Sequence, residues 1–141
     1  MNIKLHRVND AVHFESRNSF GNTVHTGGGK NVGGAGKGMR PMELLLVSIA
    51  SCSAIDVVEI LKKQRQPLED LHISVEGERP ESGAPRPFTS IDIHFILFGN
   101  IETSKAARAI KLAAEDYCSA RATLAADVSV THSFEIKSSE E

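Results

Sequence analysis

The chain of 141 residues carries 16 basic and 18 acidic side chains for a formal net charge of −2, with 40% hydrophobic and 24% charged residues. Such a balance fits one globular domain spanning residues 1–141 and excludes a disordered chain. The interspersed charges form no basic face for neutralising phosphates, so no nucleic acid is expected as partner.

From Ile3 to Thr26, short alternating stretches such as Ala11 to Glu15 and Asn22 to His25 are separated by turn signals and predict an N-terminal strand meander. The glycine-dense run from Gly27 to Gly38 follows; glycine makes regular structure entropically costly, which predicts a mobile loop. Pro41 suits a first helical turn, and no glycine or proline intervenes from Met42 to Gln66 before Pro67, so one long helix is predicted there. Its first half, Met42 to Ala50, is apolar nearly all round, the pattern of a central helix buried on most sides. Its second half places Asp56, Glu59 and Lys63 on a polar stripe.

Strands are predicted at His72 to Glu76 and at Ser90 to Phe98, joined by a loop, Arg79 to Pro87, with three prolines. Thr103 or Ser104 is placed to cap a second helix reaching about Tyr117, with Ala106, Ala109, Ile110, Ala113 and Tyr117 on one face. A last strand, Val128 to Ile136, precedes the polar tail Ser138 to Glu141. Each helix is separated from the next by strands, so an α+β domain fits better than a βαβ chain. The start of the chain, Met1 to Arg7, lacks the apolar stretch of a signal peptide. The longest apolar run, Leu44 to Ala50, is too short to span a bilayer. No membrane partner is expected, and the protein is read as cytoplasmic. With six Phe, one Tyr and no Trp, so small a chain would gain from an oligomer interface.

Two cysteines in a reducing compartment predict transient redox chemistry rather than a permanent staple. Cys52 lies in mid-helix and Cys118 at the end of the second helix, so their sulfurs meet if both helices share a core. Both are equally well read as small buried hydrophobes. A reactive thiolate needs a nearby cation, helix N-terminus or donor. Cys52 is too deep in its helix for the dipole to serve, and Asp56 opposes it, so activation must come from another segment. Glu43, nine residues before Cys52, falls on the opposite helix face, roughly 13 Å away along the axis. It either complements the helix dipole or orients an arginine from another strand or subunit.

Other chemistries find little support. The glycine run matches neither nucleotide-binding pattern, so no cofactor is expected. The six histidines, at 6, 13, 25, 72, 94 and 132, lack zinc-site spacing, so no metal is expected. Ser48, Ser51 and Ser53 surround Cys52 without the glycines of a nucleophile elbow.

The segment Arg40-Pro41-Met42-Glu43-Leu44-Leu45-Leu46-Val47-Ser48-Ile49-Ala50-Ser51-Cys52-Ser53-Ala54-Ile55-Asp56-Val57-Val58, together with Tyr117-Cys118-Ser119, resembles the OsmC/Ohr family, and the order of elements agrees from roughly Leu5 to Lys137. The residues around both cysteines are more similar to the OsmC-like branch than to the organic hydroperoxide resistance branch. The resemblance implies an intertwined homodimer with the long helices at its centre. It also implies a peroxidase in oxidative-stress defence that reduces organic or hydrogen peroxides, with Cys52 as peroxidatic and Cys118 as resolving cysteine, restored by a dithiol reductant. The hydroperoxide enzymes activate their cysteine with an arginine held by a glutamate next to the helix-opening proline. Met42 occupies that position here, Glu43 comes next, and Arg17 and Arg40 are the available cations. The alternative expectation is a dimeric small-molecule binding or redox-sensing protein with little turnover. A third reading treats both cysteines as core filler.

Overall fold

A computed structural model describes residues 1–138, so residues 139–141 of the predicted polar tail lie outside the described residues. The architecture is α+β, as expected, with two three-stranded sheets in two compact units, Met1–Leu45 and Leu46–Glu141.

The first unit is the predicted meander: β1 (Ile3–Arg7), β2 (His13–Asn18) and β3 (Thr23–Gly27) pair antiparallel in that order. Side chains set both reversals. Asn9 Oδ1 accepts the Ala11 and His13 amides at 3.1 and 3.2 Å, and Asn18 Oδ1 accepts those of Phe20 and Asn22 at 3.0 and 2.9 Å. Asparagine side chains stabilise turns in this way. The glycine run holds one short 3₁₀ turn, Lys30–Val32. It then returns beside β3, where the Gly27 amide donates to Met39 O at 3.0 Å and that of Met39 to His25 O at 3.2 Å. Gly38 must be glycine there, because its φ is +96° and a Cβ would lie 2.7 Å from the His25 backbone.

Helix α1, Pro41–Lys63, carries the chain from the first unit into the second. It stops where Arg65 turns to φ 56°, so that the amides of Arg65 and Gln66 cap Lys62 O and Leu61 O at 3.0 and 2.9 Å, with Pro67 next. This is a Schellman-type end with arginine where glycine is usual. Its buried residues, Ile49, Ser53, Val57 and Leu61, form a single i, i+4 stripe. The expectation that Met42 to Ala50 is buried on most sides is therefore corrected, since Leu45 and Val47 are apolar yet exposed in the chain; so are Ile55 and Val58 in the second half. The polar residues of α1 are few enough that its 23 residues are long and apolar enough to cross a membrane, by length and composition alone, while the stripe Ile49, Ser53, Val57 and Leu61 packs inside the chain.

In the second unit β4 (Asp70–Glu78) pairs antiparallel with β5 (Ser90–Phe98), and β5 pairs parallel with β6 (Ser129–Lys137). One βαβ crossover therefore lies within the α+β domain, because parallel neighbours need a long connection. That connection is α2 (Thr103–Lys111), a π-turn (Leu112–Tyr117) and the short α3 (Ser119–Ala122). The core gathers Ile91, Ile93, Phe95 and Leu97 from one face of β5 with Ala106, Ala109, Ile110 and Ala113 from the crossover. Gly77 within β4 leaves room for its neighbours, since a Cβ there would lie 2.4 Å from the Phe88 ring and 3.1 Å from Leu46 Cδ2. Neither predicted cap serves α2: Thr103 is its first residue, Glu102 precedes it, and the Glu102 amide instead donates to Gln66 Oε1 at 2.9 Å.

Candidate functional site

Helix α1 presents Cys52 beside the buried Ile49/Ser53 stripe and leaves its thiol half-buried. Cys118 arrives by a less regular route. If α2 ran on unchanged, Tyr117 would follow Ala113 on the inner face. The π-turn closes with wider i→i+5 bonds, so Ala114 turns inward beside Ala113 while Tyr117 is 56% exposed. Cys118 then leaves the helical path with extended backbone and points its side chain inward, 4% exposed. This corrects the sequence expectation that Tyr117 shares the alanine face.

Both thiols are free, and they are neighbours. Cys118 Sγ donates weakly to Ile49 O on α1 at 3.9 Å and accepts the Arg121 amide at 3.3 Å. Burial, the largest influence, pushes the Cys118 thiol above its ordinary range; the adjacent Cys52 thiol adds to this, while the Arg121 amide and Ser53 hydroxyl oppose it. Ser53 is 0% exposed, and its hydroxyl meets no hydrogen-bond partner in good geometry. Its favourable action on Cys118 is therefore a loose contact with a poor acceptor, not a formed hydrogen bond. The Arg121 guanidinium donates to Ala114 O at 2.7 Å, fastening α3 to the π-turn. Outside this cluster His132 holds Glu115 at 3.0 Å, and that contact is the main reason the Glu115 carboxyl lies below its ordinary range.

Glu43 and Arg17 have local partners in the first unit. Glu43 Oε2 accepts the Arg40 amide at 2.8 Å, half of a capping box in which the third helical residue reaches back to the residue before the helix. Arg17 pairs with Glu15 at 3.2 Å. Met42 is half-buried. The histidines serve local contacts as well: His13 meets His25 at 2.8 Å, His72 meets Asp70 at 2.9 Å, and His94 meets Ser133 at 2.8 Å. Among the described residues, no group of three or more His, Cys, Asp or Glu could hold a metal ion.

Ser53 and Arg121 were not singled out as partners of Cys118 by sequence. Ser53 stands next to Cys52, but only the helical register shows that it faces inward. Arg121 acts partly through its backbone amide, which carries no residue signature.

An α+β protein with a half-exposed and a buried thiol side by side, one from a long helix and one from a crossover, defines a two-cysteine thiol protein. The pattern of the OsmC-like proteins matches residues 34–133, and the chain belongs to that family. It is 46% identical over 101 residues to protein YhfA of Escherichia coli K12, covering 71% of this chain and 75% of that protein. A hypothetical protein from Aquifex aeolicus has the same fold at 36% identity, with a TM-score of 0.84 over 97% of this chain and 96% of its own. The organic hydroperoxide resistance protein OhrB of Bacillus subtilis is similar in fold alone, with 21% identity and a TM-score of 0.63 over 96% of this chain and 98% of its own.

Proposed function

We propose that this protein is a thiol-dependent peroxidase that reduces organic or hydrogen peroxides, with Cys52 as the attacking sulfur and Cys118 as the resolving one. The observation that carries the reading is the pairing of a half-buried thiol with a buried neighbour from another element. Cys52 thiolate attacks the distal peroxide oxygen, the O–O bond breaks, and the alcohol or water leaves as Cys52 becomes a sulfenic acid. The Cys118 sulfur displaces that hydroxyl, and a disulfide forms with release of water. A dithiol reductant then restores both thiols and is itself oxidised to a disulfide.

The whole chain, 1–141, acts as one OsmC-like domain in this reading, in a cytoplasmic homodimer active in oxidative-stress defence. Support for the intertwined dimer comes from α1, whose exposed Ile55 and Val58 line a groove of about 540 Å³ together with Leu68 and Leu71. A second copy would cover that apolar surface.

A second reading, a redox sensor or small-molecule binding protein with the same cysteines and little turnover, is favoured by the local commitments of Glu43 and Arg17. One experiment separates the two. Reduced protein is mixed with hydrogen peroxide or cumene hydroperoxide, and its cysteine states are followed by mass spectrometry with Cys118→Ser as control. Rapid disulfide formation that stalls at sulfenic acid in the variant supports the peroxidase. Oxidation no faster than an ordinary exposed thiol overturns it.

A further inference from the structure

Reduction of a Cys52–Cys118 disulfide requires an external sulfur to attack one of the two cysteines and expel the other, and the two choices differ physically. A cavity of about 350 Å³ reaches Cys118. Its walls come from residues 115–130, including Arg121, Leu124, Val128 and Val130, and no residue of α1 lines it. Because Cys52 is carried on α1, the cavity approaches Cys118 from walls that do not bear its disulfide partner. Thiol–disulfide exchange needs the attacking sulfur to approach opposite the departing one, and such an opening suits that line of approach.

The leaving group points the same way. Attack on Cys52 would release Cys118 as a buried thiolate, a form that burial disfavours. Attack on Cys118 releases Cys52, which is half-buried. A sulfur whose anion is costly leaves slowly.

We infer that the reducing dithiol enters through the cavity walled by residues 115–130 and attacks Cys118, not Cys52. The inference rests on the disulfide cycle proposed above and names where that cycle is closed. The reductant thiolate bonds to Cys118 Sγ, the Cys52–Cys118 bond breaks, and Cys52 leaves with the electron pair as a thiolate. The second thiol of the reductant then attacks its own sulfur in the mixed disulfide. Cys118 leaves, takes up a proton, and the reductant departs as a cyclic disulfide. Cys52 is thereby freed first, ready for the next peroxide.

The test uses the full-length protein oxidised with diamide, which makes the disulfide without peroxide. Brief exposure to 2-mercaptoethanol, acid quenching and peptide mapping locate the adduct, expected on Cys118 with Cys52 free. Separately, Ala122→Phe and Ala126→Phe place bulk at two exposed cavity positions. Reduction by dithiothreitol is expected to slow roughly 10-fold or more in these variants, while diamide-driven disulfide formation keeps its rate. An adduct on Cys52, or unchanged reduction in both variants, overturns the inference and leaves the peroxidase reading standing. Failure of diamide to form the disulfide at all overturns both.

Discussion

Ser53 offers a test in which stability and chemistry are expected to move in opposite senses. Its hydroxyl is wholly buried, lacks a well-formed hydrogen bond, and has the Cys118 sulfur as its favourable neighbour. Sulfur is a weak acceptor, so most of the cost of removing the hydroxyl from water goes uncompensated, a penalty of about 1–3 kcal/mol. Ser53→Ala deletes the hydroxyl, keeps Cβ in the stripe with Ile49 and Val57, and opens a void of a single oxygen. We expect the reduced protein to gain about 1 kcal/mol, which for a chain of this size raises Tm by about 3 °C. The same substitution removes a group that favours the Cys118 thiolate, so Cys118 titrates at higher pH than in the wild type. Urea unfolding under a reductant measures the first effect, and alkylation rate against pH in a Cys52→Ser background measures the second. A loss of about 1 kcal/mol or more would mean that the hydroxyl is well bonded and refute the argument. An unchanged Cys118 titration would remove Ser53 from the site.

Because Cys118 is raised in the folded state above its ordinary value of 9.0, its contribution to stability is fully present below that value and is lost as pH rises through the folded one. Chemical denaturation of the reduced protein should show a decline above about pH 9 that Cys118→Ala flattens. Glu115 behaves in the opposite sense. Its lowered carboxyl contributes above its ordinary value of 4.5 and loses that contribution as pH falls through the lowered one, so Glu115→Gln should flatten part of the acid-side decline, and added salt should shrink the difference. Arg65→Gly should stabilise by about 0.5–1 kcal/mol in urea unfolding, since a left-handed conformation costs an ordinary residue more than glycine loses in entropy. Ile55→Glu, at a position 64% exposed in the single chain, should leave helix content by circular dichroism unchanged and shift sedimentation from dimer toward monomer.

How much of this was legible in sequence depended on whether a feature leaves a local signature. Helix α1 was legible because 25 residues without glycine or proline stand between Pro41 and Pro67, and its observed end differs from the expected one by three residues, Gln64 to Gln66. The strands of both sheets showed their alternation. The direction of β6 did not, because a period of two reads the same for parallel and antiparallel partners; only the length of the crossover carries that information. The π-turn was invisible for a related reason: Leu112 to Tyr117 has the composition of an ordinary helix, and the widening responds to tertiary packing. For the candidate site, sequence supplied the two cysteines but not the partners of Cys118, one of which is a backbone amide and another a carbonyl of α1.

The exposure of apolar residues in Met42 to Ala50, where burial on most sides was expected, and further along α1 has a physical source that also bears on assembly. One chain needs only the stripe Ile49, Ser53, Val57 and Leu61 to seat the helix in its core. Val47, Ile55 and Val58 lie outside that stripe and stay exposed, yet they are as apolar as the stripe itself. Hydropathy cannot distinguish a face buried by the same chain from one buried by another molecule, so the sequence reads as a fully buried helix and its composition passes for a membrane span. A helix that met only its own core would carry polar residues at those positions without cost. Retaining aliphatic ones is consistent with a surface that is covered in use, and the 540 Å³ groove beside Ile55 and Val58 gives a second helix a place to lie. The same helix holds Cys52 and Ser53, so an interface built on it would limit access to the half-buried thiol and leave the cavity at Cys118, walled by another segment, as a separate entrance.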